Sequence, residues 1–148
     1  MININISKQI LVYKGKSYSV STAKNGIGEV EDSYCTPTGK FKIIEKIGAN
    51  LELGSVLVNR ESTGEMYNTV LAKKFPDRDW ILTRILWLDG IEVHNQNTKN
   101  RFIYIHGSPD ETPMGIPGSK GCIRMHNLDV VELFENIQTG ENVLIIKK

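Results

Sequence analysis

Short runs of β-branched and aromatic residues recur along most of the chain, and such runs favour a β-rich fold. The candidate strands are residues 2–6, 9–14, 17–22, 40–47, 80–88, 102–106 and 142–147. Ile2, Ile4 and Ile6 alternate with polar residues, which is typical of a half-buried strand. Gly-Lys at 15–16 predicts a hairpin between its flanking runs. Asp-Gly at 89–90 predicts a turn after the longest run.

One stretch near the C-terminus has the spacing of a helix instead. Asn127 predicts an N-cap, and Gly140 predicts the end of the segment. Apolar residues between them share one helical face: Val130, Val131, Phe134 and Ile137. The region 50–79 has no clear signal, and we expect a loop at 62–64 (STG). The whole pattern predicts a mainly β fold, a sandwich or barrel-like sheet with one or two helices, in a single domain over 1–148.

Charge and hydropathy argue against nucleic acid and membranes as partners of this protein. Lys plus Arg number 18 and Asp plus Glu 17, so electrostatics gives no reason to expect nucleic acid or an anionic membrane. No apolar run approaches the roughly 20 residues of a spanning helix. Residues 1–14 lack the features of a secretory signal, so we expect a cytoplasmic protein, or else a trimmed or otherwise exported form. The oligomeric state is not predicted.

The two cysteines, Cys35 and Cys122, are too few for a disulfide scaffold or a four-ligand zinc site. One disulfide between them is possible in principle, but we expect two free thiols.

The segment 105–125 (IHGSPDETPMGIPGSKGCIRM) holds a candidate nucleophile. A thiol must lose its proton to react, and His106, sixteen residues before Cys122 and at a predicted strand end, is a candidate base. The intervening Gly and Pro residues suit a fixed loop. Gly121 would let backbone N–H groups approach a substrate carbonyl and form an oxyanion hole. Arg124 could hold a substrate carboxylate through two contacts.

Spacing alone leaves other interpretations open. Cys122 could be a buried thiol near an unrelated histidine, which is a common arrangement. His126 could compete with His106 as the base. Cys122, His106 and His126 could also supply three zinc ligands, although no fourth ligand is evident.

The order of these residues resembles a known signature. His106-Gly107, a loop and Ser119-Lys120-Gly121-Cys122-Ile123-Arg124 together resemble the L,D-transpeptidase catalytic domain, the YkuD-like family. Residues 36–41 (TPTGKF) resemble an upstream element of the same family. The predicted helix and the closing strand resemble its C-terminal elements. The resemblance therefore spans roughly residues 9–148.

The resemblance implies an enzyme that acts on peptidoglycan stem peptides without a cofactor. Cys122 would attack the bond between a third-position diamino acid and terminal D-alanine and form a thioester. An amine of a second stem would then give a 3→3 cross-link. His106 would be the base, the Gly107 carbonyl would orient its imidazole, and Ser119 could bond to His106 or to the substrate. The substrate class implies the periplasm or cell envelope.

Two alternatives to the transpeptidase remain at this point. An L,D-carboxypeptidase would pass the acyl group to water and release a tripeptide. A cell-wall-binding module would bind stem peptides without turnover.

Lys120 departs from the family pattern, which has a second histidine at this position. Its ammonium could favour the Cys122 thiolate and stabilise an oxyanion. Alternatively, Lys120 is a solvated side chain whose backbone N–H does the only important work. The sequence does not choose between these two roles.

We expect His106→Ala nearly to abolish activity, because the thiol would lose its base. We expect Lys120→His to keep or raise activity, since it restores the family residue. Release of D-alanine from a stem tetrapeptide measures both variants. His106→Ala with the activity of the wild type would remove His106 from the mechanism.

Overall fold

Ten strands form one sheet in the computed structural model, which describes residues 1–148. The strands are β1 (Ile2–Asn5), β2 (Ile10–Tyr13), β3 (Lys16–Ser21), β4 (Gly39–Ile47), β5 (Ser55–Val58), β6 (Glu61–Met66), β7 (Ile81–Gly90), β8 (Tyr104–Ser108), β9 (Ile123–His126) and β10 (Asn142–Ile146). The helices are α1 (Thr69–Lys74) and α2 (Asn127–Asn136), with short 3-10 turns at Val93–Asn95 and Lys99–Arg101.

The sheet curls back on itself. Its strand order is β4-β10-β1-β2-β3-β9-β8-β7-β5-β6, and an additional pairing joins β4 to β7. That pairing closes a barrel-like ring, and the hairpin β5–β6 extends from β7 outside the ring. The prediction of a mainly β, barrel-like fold with one or two helices is confirmed. No helix is long and apolar enough to cross a membrane.

Alternation along β8 and β9 separates the main core from the opposite face of the sheet. Ile105, Ile123 and Met125 are fully buried in a core cluster that also contains α2 side chains such as Val130 and Leu133. The residues between them therefore point to the other face, because successive strand residues alternate. Since β8 and β9 are parallel, His106 lies directly opposite Arg124.

The segment between β8 and β9 is tied to β3 and the residue after it. The N–H groups of Gly115 and Gly118 donate to the carbonyls of Val20 and Thr22, each at 2.8 Å. The N–H of Ser119 also donates to the Thr22 carbonyl, at 2.9 Å. These bonds fix an irregular segment that returns the chain to the start of β9, as a parallel pairing requires.

The hairpin predicted around 15–16 is confirmed, although its turn residues are Lys14 and Gly15, with φ of 48° and 78°. The expected loop at 62–64 is wrong, because these residues lie within β6. The turn expected at 89–90 is also wrong: β7 continues through both residues and pairs them with β4.

Two expected boundaries near the site shift in the structure. His106 lies in the middle of β8 and not at a strand end. Asn127 is the first residue of α2 and not its N-cap, a position taken by His126. The Asn127 side chain instead accepts a hydrogen bond from Thr83 Oγ1 at 2.7 Å. A tertiary contact thus replaces the local cap.

Candidate active site

Cys122 lies in an apolar cluster just before β9. It is partly buried against a cluster formed by Leu57, Ile85 and Tyr104. Its Sγ accepts a hydrogen bond from the Tyr104 N–H at 3.3 Å and donates to the Phe102 carbonyl at 3.4 Å. Both cysteines of the chain are free, as predicted. The thiol is therefore available for chemistry and held by backbone groups of β8 and the residues before it.

The turn before Cys122 is fixed by the Ser119 side chain. Ser119 Oγ donates to the Cys122 carbonyl at 2.5 Å and accepts from the Gly121 N–H at 3.1 Å. Of the two partners considered for Ser119, His106 and the substrate, His106 is therefore not bonded to it, because the hydroxyl is used within the turn. Two backbone N–H groups of this turn could face an oxyanion, those of Gly121 and Cys122. The Gly121 N–H is bonded to Ser119 Oγ, whereas the Cys122 N–H has no protein acceptor.

Gly121 is required at its position. Its φ is +125°, and an added Cβ would lie 3.2 Å from the Cys35 carbonyl oxygen. Thr36 Oγ1 donates to the Gly121 carbonyl at 2.9 Å and accepts from the Ala23 N–H at 2.9 Å. The TPTG element thus supports the cysteine turn from behind. Sequence analysis gave Thr36 no role, and the match of residues 36–41 to the family was the only signal for it.

Arg101 fixes the segment around Cys35, which packs behind Gly121. Its guanidinium donates to the Cys35 carbonyl at 2.7 Å and to the Gly28 carbonyl at 3.1 Å. Burial lowers the pKa of Arg101, although nearby acidic groups oppose the change. Arg101 also favours the thiolate of Cys122 electrostatically, because it lowers the pKa of that thiol. Nothing in the sequence pointed to this residue.

His106 is fully buried, and its ring is held in one orientation. Nδ1 lies 2.6 Å from the Gly107 carbonyl oxygen, which can only accept a hydrogen bond. Nδ1 therefore carries the proton, and Nε2 presents a lone pair. Nε2 is buried and has no hydrogen-bond partner. Burial lowers the pKa of His106, against smaller opposing effects of Asp79 and the Gly107 carbonyl, so the imidazole is neutral at pH 7.

Gly107 allows β8 to approach β7 closely. An added Cβ would lie 2.4 Å from Asn127 Oδ1 and 2.5 Å from the Leu82 carbonyl oxygen. The facing strand is irregular here, and Thr83 has a φ of +74°. Gly107 is buried, so it contributes to the site through its carbonyl and its lack of a side chain. The structure does not place it on a surface that a substrate could reach.

His106 and Cys122 share one face of the sheet but are not hydrogen-bonded. The register pairs His106 with Arg124, which places Cys122 beside Tyr104, one row away. The thiol bonds to backbone groups, and His106 Nε2 has no partner. The expected hydrogen-bond contact is thus not formed in this structure. Such contacts often tighten only when substrate is bound.

Arg124 is held by two groups close to His106. Nη2 lies 3.0 Å from Asp79 Oδ1, and Nη1 donates to the Gly118 carbonyl at 3.0 Å. The side chain is 20% exposed, so this ion pair is partly protected from water. Asp79 lies in the segment before β7 and was not singled out by the sequence, because only the fold brings it to Arg124.

The Cys122 thiol is protonated in the resting state. Its pKa is raised to about 12, chiefly by burial and to a smaller degree by Asp79. The Tyr104 N–H, Arg124 and Arg101 oppose this change by favouring the thiolate. The resting pair is therefore a neutral thiol and a neutral imidazole.

The tip of the β5–β6 hairpin covers the apolar side of the site. Arg60 lies over the rings of Trp87 and Phe102, with centroid distances of 4.6 and 5.1 Å. It also donates to the Tyr104 hydroxyl at 3.1 Å. These contacts pack the hairpin against the cluster that contains Cys122.

Two other candidates have clear positions. Lys120 is exposed and makes no hydrogen bond or ion pair; it lines a surface cavity with Glu31, Asp32 and Arg101. His126 is the N-cap residue of α2. No group of three or more His, Cys, Asp or Glu side chains is placed to hold a metal ion, so the residues considered as zinc ligands do not form such a group.

The sequence is similar to known proteins. A family model described as the L,D-transpeptidase catalytic domain, YkuD, matches residues 1–145. YqjB, a candidate L,D-transpeptidase of Bacillus subtilis strain 168, is 48% identical over 50 residues, which are 34% of this chain and 28% of that protein. A second candidate L,D-transpeptidase of that organism, YkuD, is 49% identical over 41 residues, 28% of this chain and 25% of that protein.

Solved structures share the fold at low sequence identity. An L,D-transpeptidase from Xylanimonas cellulosilytica has a TM-score of 0.59 at 20% identity, covering 98% of this chain and 59% of that one. L,D-transpeptidase 3 of Mycobacterium tuberculosis, in complex with a faropenem-derived adduct, has a TM-score of 0.58 at 15% identity, covering 97% and 58%. The chain thus spans less than two thirds of these relatives.

The resemblance inferred from the His106 to Arg124 motif and the TPTG element is confirmed by these matches. Because the family model covers residues 1–145, this chain belongs to the family of L,D-transpeptidase catalytic domains.

Proposed function

We propose that this chain is a cysteine-dependent L,D-transpeptidase that acts on peptidoglycan stem peptides. The observation that carries the proposal is the arrangement of Cys122, His106 and Arg124 on one face of β8 and β9. His106 is neutral and its Nε2 has no partner, and the free thiol of Cys122 lies in the next row of the same face. This arrangement suits a general base and the nucleophile that it activates. A cation in the same row suits a substrate that carries carboxylates.

The first step transfers the thiol proton to His106. The proton now directed at the Phe102 carbonyl would turn toward Nε2 through a rotation of the Cys122 side chain. Because Nδ1 already donates to the Gly107 carbonyl, the imidazolium formed keeps its orientation. The transfer is unfavourable in the resting enzyme, since burial raises the pKa of the thiol and lowers that of the imidazole. We expect it to occur together with attack on bound substrate.

The second step forms the thioester. Sulfur attacks the carbonyl between the third-position diamino acid and terminal D-alanine, and a C–S bond forms. The Cys122 N–H, which has no protein acceptor, is the group we propose for the oxyanion; the Gly121 N–H is already bonded to Ser119. The C–N bond then breaks, and the imidazolium gives its proton to the leaving amine of D-alanine.

The third step transfers the acyl group. An amine of a second stem attacks the thioester carbonyl, gives its proton to His106 and forms a 3→3 amide, and the thiol of Cys122 is restored. Attack by water would give a tripeptide, which is the carboxypeptidase alternative. A protein that binds stems without any turnover is the other alternative. The same geometry serves the first two, so the products must distinguish them.

We propose that Lys120 contributes as a backbone part of the turn before Cys122 and not through its side chain. The side chain is exposed and makes no hydrogen bond or ion pair, whereas the residue belongs to the turn that Ser119 and Gly121 fix. The proposed substrate would place the protein in the periplasm or cell envelope. We propose residues 1–148 as one catalytic domain that needs no cofactor.

We expect wild-type protein to remove terminal D-alanine from a purified disaccharide-tetrapeptide and Cys122→Ala to leave it unchanged. Mass spectrometry of the products measures both reactions. A cross-linked dimer would support the transpeptidase, and tripeptide alone would support the carboxypeptidase. An unchanged tetrapeptide with the wild type, together with binding that survives Cys122→Ala, would contradict catalysis and favour a binding module.

The raised thiol pKa predicts a steep pH dependence of alkylation. In a Cys35→Ser background, the rate of reaction of Cys122 with iodoacetamide should rise about tenfold per pH unit from pH 7 to 10, because only the thiolate reacts. The urea-unfolded protein should level off above roughly pH 9, as a free cysteine does. Mass spectrometry at timed intervals measures both rates. A plateau near pH 7 in the folded protein would contradict a neutral resting thiol.

A further inference from the structure

The ion pair between Asp79 and Arg124 occupies the cation that the proposed function assigns to a substrate carboxylate. Asp79 Oδ1 lies 3.0 Å from Arg124 Nη2, and Arg124 Nη1 is bonded to the Gly118 carbonyl. Each Nη group of Arg124 therefore makes one contact within the protein, and Asp79 already neutralises the charge of the guanidinium. A second carboxylate would be repelled by Asp79, so we expect it to bind well only when Asp79 moves away.

Of the two contacts, the one with Asp79 is the easier to exchange. Gly118 lies in the segment that backbone hydrogen bonds tie to the chain at Thr22. Asp79 contributes only a side chain, and an incoming carboxylate has the same charge and the same acceptor geometry. Exchange of one carboxylate for another leaves the partly buried guanidinium paired throughout, which avoids the cost of an unpaired charge.

The backbone around Asp79 is held from both sides, so exchange needs only its side chain to rotate. Arg78 forms an ion pair with Glu65 at 2.8 Å and lies 4.1 Å from the centroid of the Phe75 ring. Trp80 packs edge-on against Tyr67 with ring centroids 5.0 Å apart.

Unpaired polar atoms surround the same cation. His106 Nε2 and Ser21 Oγ are buried without a hydrogen-bond partner. The register places both residues directly opposite Arg124, one on each neighbouring strand. Buried polar atoms in native structures normally have partners. A ligand carboxylate at Arg124 could accept a hydrogen bond from Ser21 Oγ, whereas the lone pair of His106 Nε2 stays free for its role as a base.

We propose that Asp79 is a specificity residue. In the free protein its carboxylate pairs with Arg124 in place of the terminal carboxylate of the donor peptide, and the donor displaces Asp79 when it binds. This inference rests on the proposed function for the identity of the donor. The terminal carboxylate lies one residue beyond the attacked carbonyl, about 3.8 Å along the chain. Arg124 is two residues beyond Cys122 and on the same face of the sheet, so we expect that carboxylate to extend toward it.

The exchange also links recognition to the reaction sequence. The displaced Asp79 no longer pairs with Arg124 while the donor is bound. When the C–N bond breaks, D-alanine carries its carboxylate away, and Asp79 can pair with Arg124 again. A donor without a terminal carboxylate would gain nothing from displacing Asp79. Selectivity for a free terminal acid over an amide is therefore set by competition at one guanidinium.

The test measures binding in a protein that does not turn over. Cys122→Ala and Cys122→Ala/Asp79→Asn are titrated calorimetrically with two tetrapeptides, one ending in D-alanine and one in D-alaninamide. If Asp79 occupies Arg124 for about nine-tenths of the time, its removal tightens binding of the acid about tenfold and changes binding of the amide less than about twofold. Asp77→Asn in the same background changes the net charge equally at an exposed site and should change neither.

Weaker binding of the acid after Asp79→Asn would overturn the proposal, because it would show that Asp79 merely positions Arg124. Equal gains for acid and amide, an equal gain with Asp77→Asn, or no binding of either peptide would also overturn it. The same variant made with Cys122 intact should lower KM for the acid donor. Selective binding without turnover in the wild type would contradict the proposed enzyme but not the exchange at Arg124.

Discussion

The parallel pairing of β8 with β9 is the contact on which the site depends. It places His106 opposite Arg124 and Cys122 beside Tyr104, while Ile105 and its neighbours enter the main core. A slip of one residue would move apolar side chains to the site and polar ones into the core, so the hydrophobic pattern itself fixes the geometry of the proposed chemistry. Backbone hydrogen bonds to the end of β3 and to Thr22 fix the irregular segment that connects β8 to β9.

Burial gives the site its electrostatic character. A thiol with a raised pKa and an imidazole with a lowered pKa both favour the uncharged state, so an ion pair is not formed in advance. For the thiol, Arg124 and Arg101 act against this tendency and Asp79 supports it. For the imidazole the effects are reversed, because Asp79 favours its charged form and Arg124 disfavours it. A donor carboxylate that replaced Asp79 would keep the charge at Arg124 balanced. Substrate binding could then exclude water from the site without leaving a buried charge unpaired.

Much of this arrangement could be predicted from the sequence, and the remainder depends on contacts between distant segments. Alternation and turn residues predicted most strands, and the motif around Cys122 predicted the family. Asn127 had the composition of an N-cap, but its side chain is used by Thr83, so tertiary structure overrode the local preference. Thr36 and Asp79 act on residues far away in the chain, and no local pattern marks such partners.

The central claim is that Cys122 carries an acyl group during the reaction. Intact-protein mass spectrometry, after rapid mixing with a stem tetrapeptide and acid quenching, tests it directly. The account predicts an adduct with the mass of the peptide less D-alanine, mapped to Cys122, released by hydroxylamine and absent from Cys122→Ala. Turnover without any adduct at Cys122, or an adduct mapped to another residue, would contradict it.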